Sequence, residues 1–369
     1  MNGKQRLQLL RPASLMVVWV FASLDLWCGM QSWQAVPADV PYPGSRVVLD
    51  AHNCYPYGRR WADRMDRALA TGTPVAIEQD LAWYTDPRTG SSWSVLSHSK
   101  NPRSFAPMMR QYFFERVRPI VEEALRDGNR GDWPLITLNL DFKNKELEHL
   151  KAVWRLLCEY EDWITSAPRL GDIYAIAPLE IKPILVLTGE SKAEESVFYD
   201  QVPEGGRLLA FGATPSNDQD PCAPPQVLAP EPMNNYRRWW NNPWRVVEPR
   251  GRNAEGTWSD QDEARLNELV RYAHERGFWI RFYTLNGISA AERCDGWSRV
   301  YNVGSLEAAR IRWRAAIRAG VDFLSTDQYE ELARELGRNV PENPGMTFRQ
   351  SGRFLGGQIK KLSGQAASN

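Results

Sequence analysis

The sequence predicts an α/β protein built as one (β/α)8 barrel, a TIM barrel, in regular or distorted form. Short apolar runs alternate with helix-length amphipathic segments over about 280 of the 369 residues, which favours a parallel sheet. The runs are apolar throughout, as in strands buried on both faces. A doubly wound sheet is the alternative fold, but its Gly-rich phosphate turn is absent after the first strand.

Seven apolar runs are predicted to be barrel strands. They lie at residues 47–53, 75–80, 135–141, 183–188, 208–212, 278–285 and 321–327. Residues 245–248 are a weaker candidate for an eighth strand, and a further short run at 95–98 ends in a histidine.

Helices are predicted between these strands, at residues 59–70, 107–125, 147–163, 191–198, 259–276 and 305–319. The segment 259–276 has the clearest boundaries. Ser259 is a candidate N-cap with Asp262 at the capping-box position, and Gly277 follows its end.

The barrel is assigned to residues 39–337, with a signal peptide or anchor at 1–38 and a flexible polar tail at 338–369. Basic residues precede an eleven-residue apolar core at 14–24, which is shorter than the roughly 20 residues of a membrane-spanning helix. This pattern is typical of a secretory signal. The chain is therefore expected to be secreted or periplasmic, and an uncleaved membrane anchor is the alternative.

The cysteine content fits export but leaves pairing open. Apart from Cys28, an even set of four remains, which permits two disulfides of undetermined connectivity: Cys54, Cys158, Cys222 and Cys294. The formal net charge is zero, so nothing in the charge balance favours a nucleic acid partner.

A long insertion is predicted at residues 213–258, where Pro, Asn and Trp are frequent. A loop of this length is usually functional or disordered, and its aromatic content argues against disorder. Trp239 and Trp240 either pack the loop or form a lid that contacts substrate or a membrane surface. Arg237 and Arg238 are expected to meet a phosphate or an anionic head group.

Acidic side chains stand at the carboxyl ends of the predicted strands, where barrel active sites are built. Glu78 and Asp80 are two residues apart on one strand and share a face, and Asp141 ends a later strand. Three converging carboxylates repel one another unless a divalent cation neutralises them, and oxygen ligands suit Mg2+ or Ca2+. Lys143 follows on the same face as Asp141 and could hold a phosphate oxygen.

Two of the four histidines, His52 and His98, also follow apolar runs in the part of the chain that carries these acids. Histidine has an ordinary pKa near neutrality, as acid–base catalysis requires. A single histidine at a strand end is more often structural, but two of them beside acids favour catalysis. His149 and His274 fall within predicted helices and are expected at the surface.

Three further residues are candidate substrate contacts beside the tryptophan pair. Asn53 follows His52 directly, while Arg281 and Tyr283 lie near the end of the seventh predicted strand. With Asn286, they are placed to line the mouth of the barrel.

The ordered motifs resemble those of the PLC-like phosphodiesterases, which include glycerophosphodiester phosphodiesterases, sphingomyelinase D and proteins of the altered-inheritance-of-mitochondria type. The motifs are His52-Asn53, Glu78-x-Asp80, His98 and Asp141-x-Lys143. The spacing from Ala68 to Gly72 before the Glu-x-Asp strand also matches, and residues 324–327 give a weaker match.

The resemblance implies a metal-dependent phosphodiesterase in which Glu78, Asp80 and Asp141 hold the cation. It implies that His52 and His98 act as nucleophile or general base and as general acid. Glycerophosphodiesterases usually have His-Arg-Gly at the first motif and Glu at the position of Asp141, where an Asp is closer to sphingomyelinase D. The substrate therefore stays open between a small glycerophosphodiester and a phospholipid, with peripheral membrane contact in the second case.

Two other functions fit parts of the pattern. A barrel with paired carboxylates and sixteen tryptophans is also typical of glycoside hydrolases, although two histidines and a lysine favour phosphate over sugar. A barrel that has lost catalysis and only binds phosphate or lipid is the third alternative.

Overall fold

Eight parallel strands form a closed barrel in the computed structural model, which describes residues 42–57, 61–249, 257–289 and 302–340. The strands are, in chain order, β1 (Val48–Ala51), β2 (Val75–Thr85), β3 (Ser92–Leu96), β4 (Ile136–Phe142), β5 (Ala167–Pro168), β6 (Ile184–Thr188), β7 (Arg207–Leu208), β8 (Phe211–Ala213), β9 (Arg237–Pro243), β10 (Trp279–Tyr283) and β11 (Phe323–Thr326). The barrel order is β1-β11-β10-β9-β8-β6-β4-β2, and β2 pairs again with β1. The predicted TIM barrel is confirmed.

Three short strands lie outside the parallel ring. β5 and β7 form a separate antiparallel pair. β3 pairs antiparallel with the carboxyl-terminal half of β2, with Leu96 opposite Leu81 and Ser92 opposite Thr85. This hairpin extends β2 beyond the barrel and places His98 near the strand ends of the ring.

The described helices are α1 (Arg64–Ala70), α2 (Glu115–Asp127), α3 (Leu147–Glu159), α4 (Lys192–Glu195), α5 (Pro225–Leu228), α6 (Asp260–Glu275), α7 (Leu306–Ala319) and α8 (Tyr329–Glu335). Several predicted helices are shorter than expected, because part of their length is a π-helical or 3-10 turn. These turns lie at Arg110–Phe114, Glu161–Trp163 and Ser196–Asp200, and a further 3-10 turn lies at Trp244–Val246, outside the predicted helices.

Local sequence explains where the clearest helices begin and end. Ser259 caps α6 by accepting a hydrogen bond from the backbone N–H of Asp262, whose carboxylate accepts the N–H of Ser259 in return. This confirms the predicted capping box. Ser305 caps α7 by accepting a hydrogen bond from the backbone N–H of Ala308, and Gly320 ends the helix in the left-handed conformation with φ 78°, which glycine adopts without steric cost.

The barrel's sixth strand was predicted incorrectly. The candidate strand at residues 245–248 overlaps a 3-10 helix, and the strand that completes the ring is β9, inside the supposed insertion. β9 carries Arg237, Arg238, Asn241 and Asn242 among its seven residues, so it lacks the apolar character of a buried parallel strand. The strand forms because these polar groups make tertiary contacts with residues far away in the chain. No local sequence pattern predicts such contacts.

Trp240 packs in the layer between the barrel and its helices, and we expect Trp240→Ala to lower the free energy of unfolding by about 3 kcal/mol or more. The side chain is fully buried, and its ring lies 6.0 Å from that of Tyr272. Urea denaturation would measure the loss. Trp240→Phe keeps most of the apolar contact and should cost clearly less; an equal cost for the two variants would contradict a packing role.

Several earlier expectations fall on residues outside the described ranges. The predicted signal segment at 1–38, nearly all of the tail at 338–369, and Cys28 and Cys294 are among them. Cys54, Cys158 and Cys222 carry free thiols, so no disulfide joins these three. In the described part of the chain, no helix has both the length and the apolar character needed to cross a membrane.

Candidate functional site

A cavity of about 860 Å³ opens at the carboxyl ends of the barrel strands. Its volume falls in the range of small-molecule sites, roughly 300–1,000 Å³. Nine of the predicted site residues line it: His52, Asn53, Glu78, His98, Asp141, Lys143, Trp239, Arg281 and Tyr283. The fold therefore brings together residues separated by up to 231 positions, because parallel strands end at one edge.

Three carboxylates converge at this end of the barrel, of which Glu78 and Asp141 line the cavity and Asp80 is fully buried. Glu78, Asp80 and Asp141 each offer one oxygen, and these oxygens lie within 4.8 Å of one another. β2 supplies the first two and β4 the third, with Asp80 and Asp141 side by side in the register. The Lys143 ammonium lies 2.7 Å from Asp80 Oδ2 and 2.6 Å from Asp141 Oδ2.

The surroundings shift the pKa values of two of these carboxyls in opposite directions. Burial would raise the pKa of Glu78, but the charges of Arg281 and His52 hold it at about 2. Burial raises the pKa of Asp80 to about 8, with added repulsion from Asp141 and Glu78 that outweighs Lys143. Asp80 thus needs further positive charge to remain ionised at neutral pH.

The donor set fits a divalent cation bound by oxygen. Three carboxylates at this separation match the ligands that Mg2+ and Ca2+ prefer. In addition, Asp80 Oδ1 is buried and has no hydrogen-bond partner among the described residues, and an unpartnered buried oxygen calls for explanation, such as an ion. The prediction of a metal site at Glu78, Asp80 and Asp141 therefore agrees with the geometry, although the geometry does not identify the ion.

His52 is held by two acids, one of which was not among the predicted site residues. Its Nδ1 lies 3.3 Å from Asp327 Oδ2, and its Nε2 lies 3.7 Å from Glu78 Oε2. Burial alone would lower the pKa of His52, but these carboxylates raise it above its ordinary value. Asp327 is itself fixed by Arg64 at 3.3 Å and by Asn286 Nδ2 at 2.6 Å.

His98 lies in the loop after β3 and is exposed. Burial and the Lys143 ammonium lower its pKa from the ordinary value. The backbone N–H of the preceding Ser97 donates to Asp80 O at 2.9 Å, which ties this loop to the strand that carries the carboxylates. The two histidines therefore line one cavity in electrostatically different surroundings.

Arg281 is buried beneath the carboxylates, where it pairs with Asp50 and lies 3.4 Å from Glu78 Oε2. It also donates to Asn241 Oδ1 and Ser325 Oγ, each at 3.0 Å. These contacts fix the position of Glu78 from inside the barrel. The role of Arg281 as a substrate contact stays a prediction, since most of its donors already have protein acceptors.

Asn53 holds the first motif in place. Its backbone N–H donates to Glu78 Oε2 at 3.0 Å, and its Nδ2 lies 2.9 Å from His52 Nδ1. Its φ is 50°, a left-handed conformation that asparagine tolerates better than most residues. Tyr283 lines the cavity near Arg281, with the guanidinium 5.2 Å from its ring centroid. Substrate contact by either residue stays a prediction.

The structure contradicts a tryptophan lid for Trp240. Both tryptophans pack in the protein interior instead. Trp239 lines the cavity but is almost fully buried, and its indole N–H donates to Thr188 O at 2.9 Å. Trp240 is buried and does not line the cavity. Both belong to a barrel strand, which leaves neither free to close over the site.

Arg237 and Arg238 are also buried, which contradicts their expected contact with a head group. The Arg237 guanidinium pairs with Glu195 and donates to Ala213 O. Arg238 donates to Ala177 O at 2.9 Å, and burial lowers its pKa to about 10. Both side chains satisfy backbone and acidic groups around β9.

Of the two remaining histidines, only His149 differs from expectation. His149 is fully buried, with its ring nitrogens 2.9 Å from Ser94 Oγ and from Asn144 O. His274 lies 2.9 Å from Asp322 Oδ2 near the amino end of β11, far from the cavity along that strand. The prediction of a surface position is wrong for His149.

Comparison with known proteins gives only distant likenesses. No family model matches the chain, and no curated protein matches it. Among solved structures, a glycerophosphoryl diester phosphodiesterase from Parabacteroides distasonis has 16% identity and a TM-score of 0.38, over 84% of this chain and 93% of that one. A glycerophosphodiester phosphodiesterase from Agrobacterium tumefaciens has 10% identity and a TM-score of 0.37, over 79% and 99%.

A third solved structure, HPPK-DHPS from Plasmodium falciparum, scores as high as the second. It has 7% identity and a TM-score of 0.37, over 85% of this chain and 52% of that one. Enzymes described in different terms thus reach the same score, and these likenesses carry no argument about activity.

Sequence reasoning missed Asp50, Tyr55, Arg64 and the role of Asp327. Asp327 had a usable signal, because it is the last residue of a predicted strand. Asp50 lies within a predicted strand and Arg64 within a predicted helix, where a charged residue ordinarily faces solvent. Tyr55 donates its hydroxyl to Asp80 Oδ2 at 2.6 Å, a contact that no local pattern indicates.

Proposed function

We propose that this protein is a metal-dependent phosphodiesterase that hydrolyses a glycerophosphodiester or a phospholipid. One observation carries the proposal: Glu78 and Asp141 of the three-carboxylate cluster line a cavity together with two histidines and a lysine, and the third carboxylate, the buried Asp80, lies within 4.8 Å of both. Carboxylates suit a divalent cation, and a cation with a nearby ammonium suits a phosphate anion. Two histidines and a lysine beside the carboxylates favour a phosphate over a sugar as the substrate group.

Glu78, Asp80 and Asp141 would hold Mg2+ or Ca2+, which supplies positive charge to a bound phosphate. Lys143 adds an ammonium beside the same carboxylates. His52 and His98 line the cavity from the loops after β1 and β3 and are assigned to acid–base or nucleophilic roles. Asp327 holds the His52 ring through Nδ1, and Asn53 keeps both His52 and Glu78 in place.

A screen of phosphodiesters with and without EDTA tests this function. We expect cleavage of a generic aryl phosphodiester that is lost on chelation and restored by Mg2+ or Ca2+, because the cation offsets the charge of the phosphate. Metal-independent cleavage of an aryl glycoside would favour the glycosidase alternative. Metal-dependent phosphate binding without turnover would favour the binding barrel.

Export and the kind of substrate belong to the same proposal. The basic start and short apolar core of the sequence support a secreted or periplasmic location. The zero net charge supports a small phosphodiester or a lipid over a nucleic acid. Cell fractionation of the tagged full-length protein, with sequencing of its mature N-terminus, would test the location.

A further inference from the structure

A second cavity of about 650 Å³ adjoins the first one, and no predicted function accounts for it. We call it the side cavity; it lies between the loop after β1 and the loop of residues 97–107 after β3. Tyr57 and His98 line both cavities. His98 therefore stands where two open cavities meet.

The wall between the two cavities is a packed aromatic cluster. The Tyr57 ring stacks on Tyr55 at 5.2 Å and meets Trp61 edge-on at 5.3 Å. It also lies 6.1 Å from the His98 ring, and the Arg64 guanidinium lies 5.6 Å from its centroid. These contacts pack Tyr57 on several sides, so the wall that the two cavities share is built from packed side chains.

The loop that forms the outer wall is closed at its base. The Leu96 N–H donates to Pro107 O at 2.8 Å, and the Ala106 N–H donates to Arg103 O at 3.0 Å. Compact surface loops whose ends lie close together are frequently functional. Phe105 is 61% exposed, so the loop offers an apolar ring at the rim that is not needed for the core.

The two cavities differ sharply in charge. Side chains of five acidic and four basic residues line the first cavity. In the described part of the chain, no acidic residue lines the side cavity, and Arg103 is its one lysine or arginine. Its remaining wall is largely apolar, aromatic or hydroxyl-bearing, with prolines at 56, 102 and 107. Transfer of an uncharged organic group from water into the side cavity would cost less desolvation free energy than transfer of a charged group.

We propose that the side cavity binds one of the two alcohol arms of a phosphodiester, an uncharged aliphatic or aromatic arm larger than methyl. The proposal rests on the phosphodiesterase function, because it places the phosphate at the histidines and carboxylates of the first cavity. A phosphodiester has two arms on one phosphorus, and two cavities that meet at His98 match that shape. The preferred substrate then carries two sizeable arms.

The test uses phosphinates, whose two P–C bonds cannot be hydrolysed. Dibutylphosphinate carries two butyl arms on a phosphate-like anion, whereas dimethylphosphinate carries only two methyl groups. Binding of both to the full-length protein, loaded with Mg2+, would be measured by calorimetry. We expect the wild-type protein to bind dibutylphosphinate at least about tenfold more tightly, a difference of about 1.4 kcal/mol.

Ala106→Trp would fill the side cavity, since Ala106 lines it and does not line the first cavity. We expect this variant to lose about tenfold in affinity for dibutylphosphinate and less than about twofold for dimethylphosphinate. Met108→Trp is the matched control, because Met108 is 40% exposed and lines neither cavity. If Ala106→Trp does not fold, as judged by thermal unfolding, Ala106→Leu replaces it.

Equal losses for the two phosphinates, or an equal effect of Met108→Trp, would overturn the proposal. So would a wild-type protein that binds dibutylphosphinate no more tightly than dimethylphosphinate. The binding measurement is separate from turnover. If the arm-dependent binding is present but no phosphodiester is cleaved, the side cavity stands as a binding site and the proposed enzymatic function fails.

Discussion

His52→Ala and His98→Ala are each expected to lower kcat by several orders of magnitude on a phosphodiester that the wild-type protein cleaves. Positioned acid–base groups typically contribute about 10²- to 10⁴-fold each, and a nucleophile contributes more. Both rings line the cavity that holds the carboxylates, and the Asp327 carboxylate holds His52. Steady-state kinetics on one soluble diester would measure each loss.

The double variant His52→Ala/His98→Ala should be little worse than either single variant, because residues that act as a unit do not contribute additively. Asp327→Asn should cost less than the loss of His52, since Asp327 acts through that ring. His274→Ala is the matched control: it removes a histidine that also pairs with an aspartate, but at the other end of β11. If the four variants at His52, His98 and Asp327 lose activity only in proportion to their loss of folded protein, the two histidines have a structural role.

Glu78→Gln is expected to abolish both metal uptake and activity. Glutamine has nearly the same shape as glutamate but no charge, so the cluster would lose one of its three anionic ligands. Arg281 would keep its pairing with Asp50, and Asn53 would keep an acceptor at residue 78. The barrel should therefore remain folded while the affinity for the cation falls.

Calorimetric titration of Mg2+ and Ca2+ into the chelator-treated protein would measure uptake directly. Glu190→Gln is the control for uptake, because Glu190 is an acid that lines the same cavity outside the cluster. It should still take up the cation. Wild-type turnover that persists after exhaustive chelation would contradict the proposed metal dependence, whatever effect Glu78→Gln has on activity.

The sequence predicts those site residues that lie at the ends of strands. Glu78 and Asp80 share a face because they are two residues apart on one strand, a period that any strand imposes. The parallel sheet then aligns Asp80 with Asp141. The carboxylate cluster could thus be predicted from strand positions alone, whereas the side cavity could not, because it depends on how two loops pack.

β9 shows the limit of local patterns most clearly. Its arginines and asparagines are polar, but the strand is largely buried. Burial of such groups is tolerated only when partners satisfy them, and Arg237 finds them at Glu195 and Ala213 on other elements. An aromatic and polar segment therefore looked like a lid when it is part of the barrel wall.

The sequence by itself determined the barrel class and most of its strands, because a continuous apolar run of strand length has few other ways to be buried. It also determined the capped helices α6 and α7, whose boundaries depend on neighbouring residues. Only the tertiary structure decided that Arg281 would meet Glu78 and Asp50, and that Asp327 would meet His52. Those ion pairs join residues far apart in the chain, and their partners are fixed by the closure of the barrel, which no local interaction encodes.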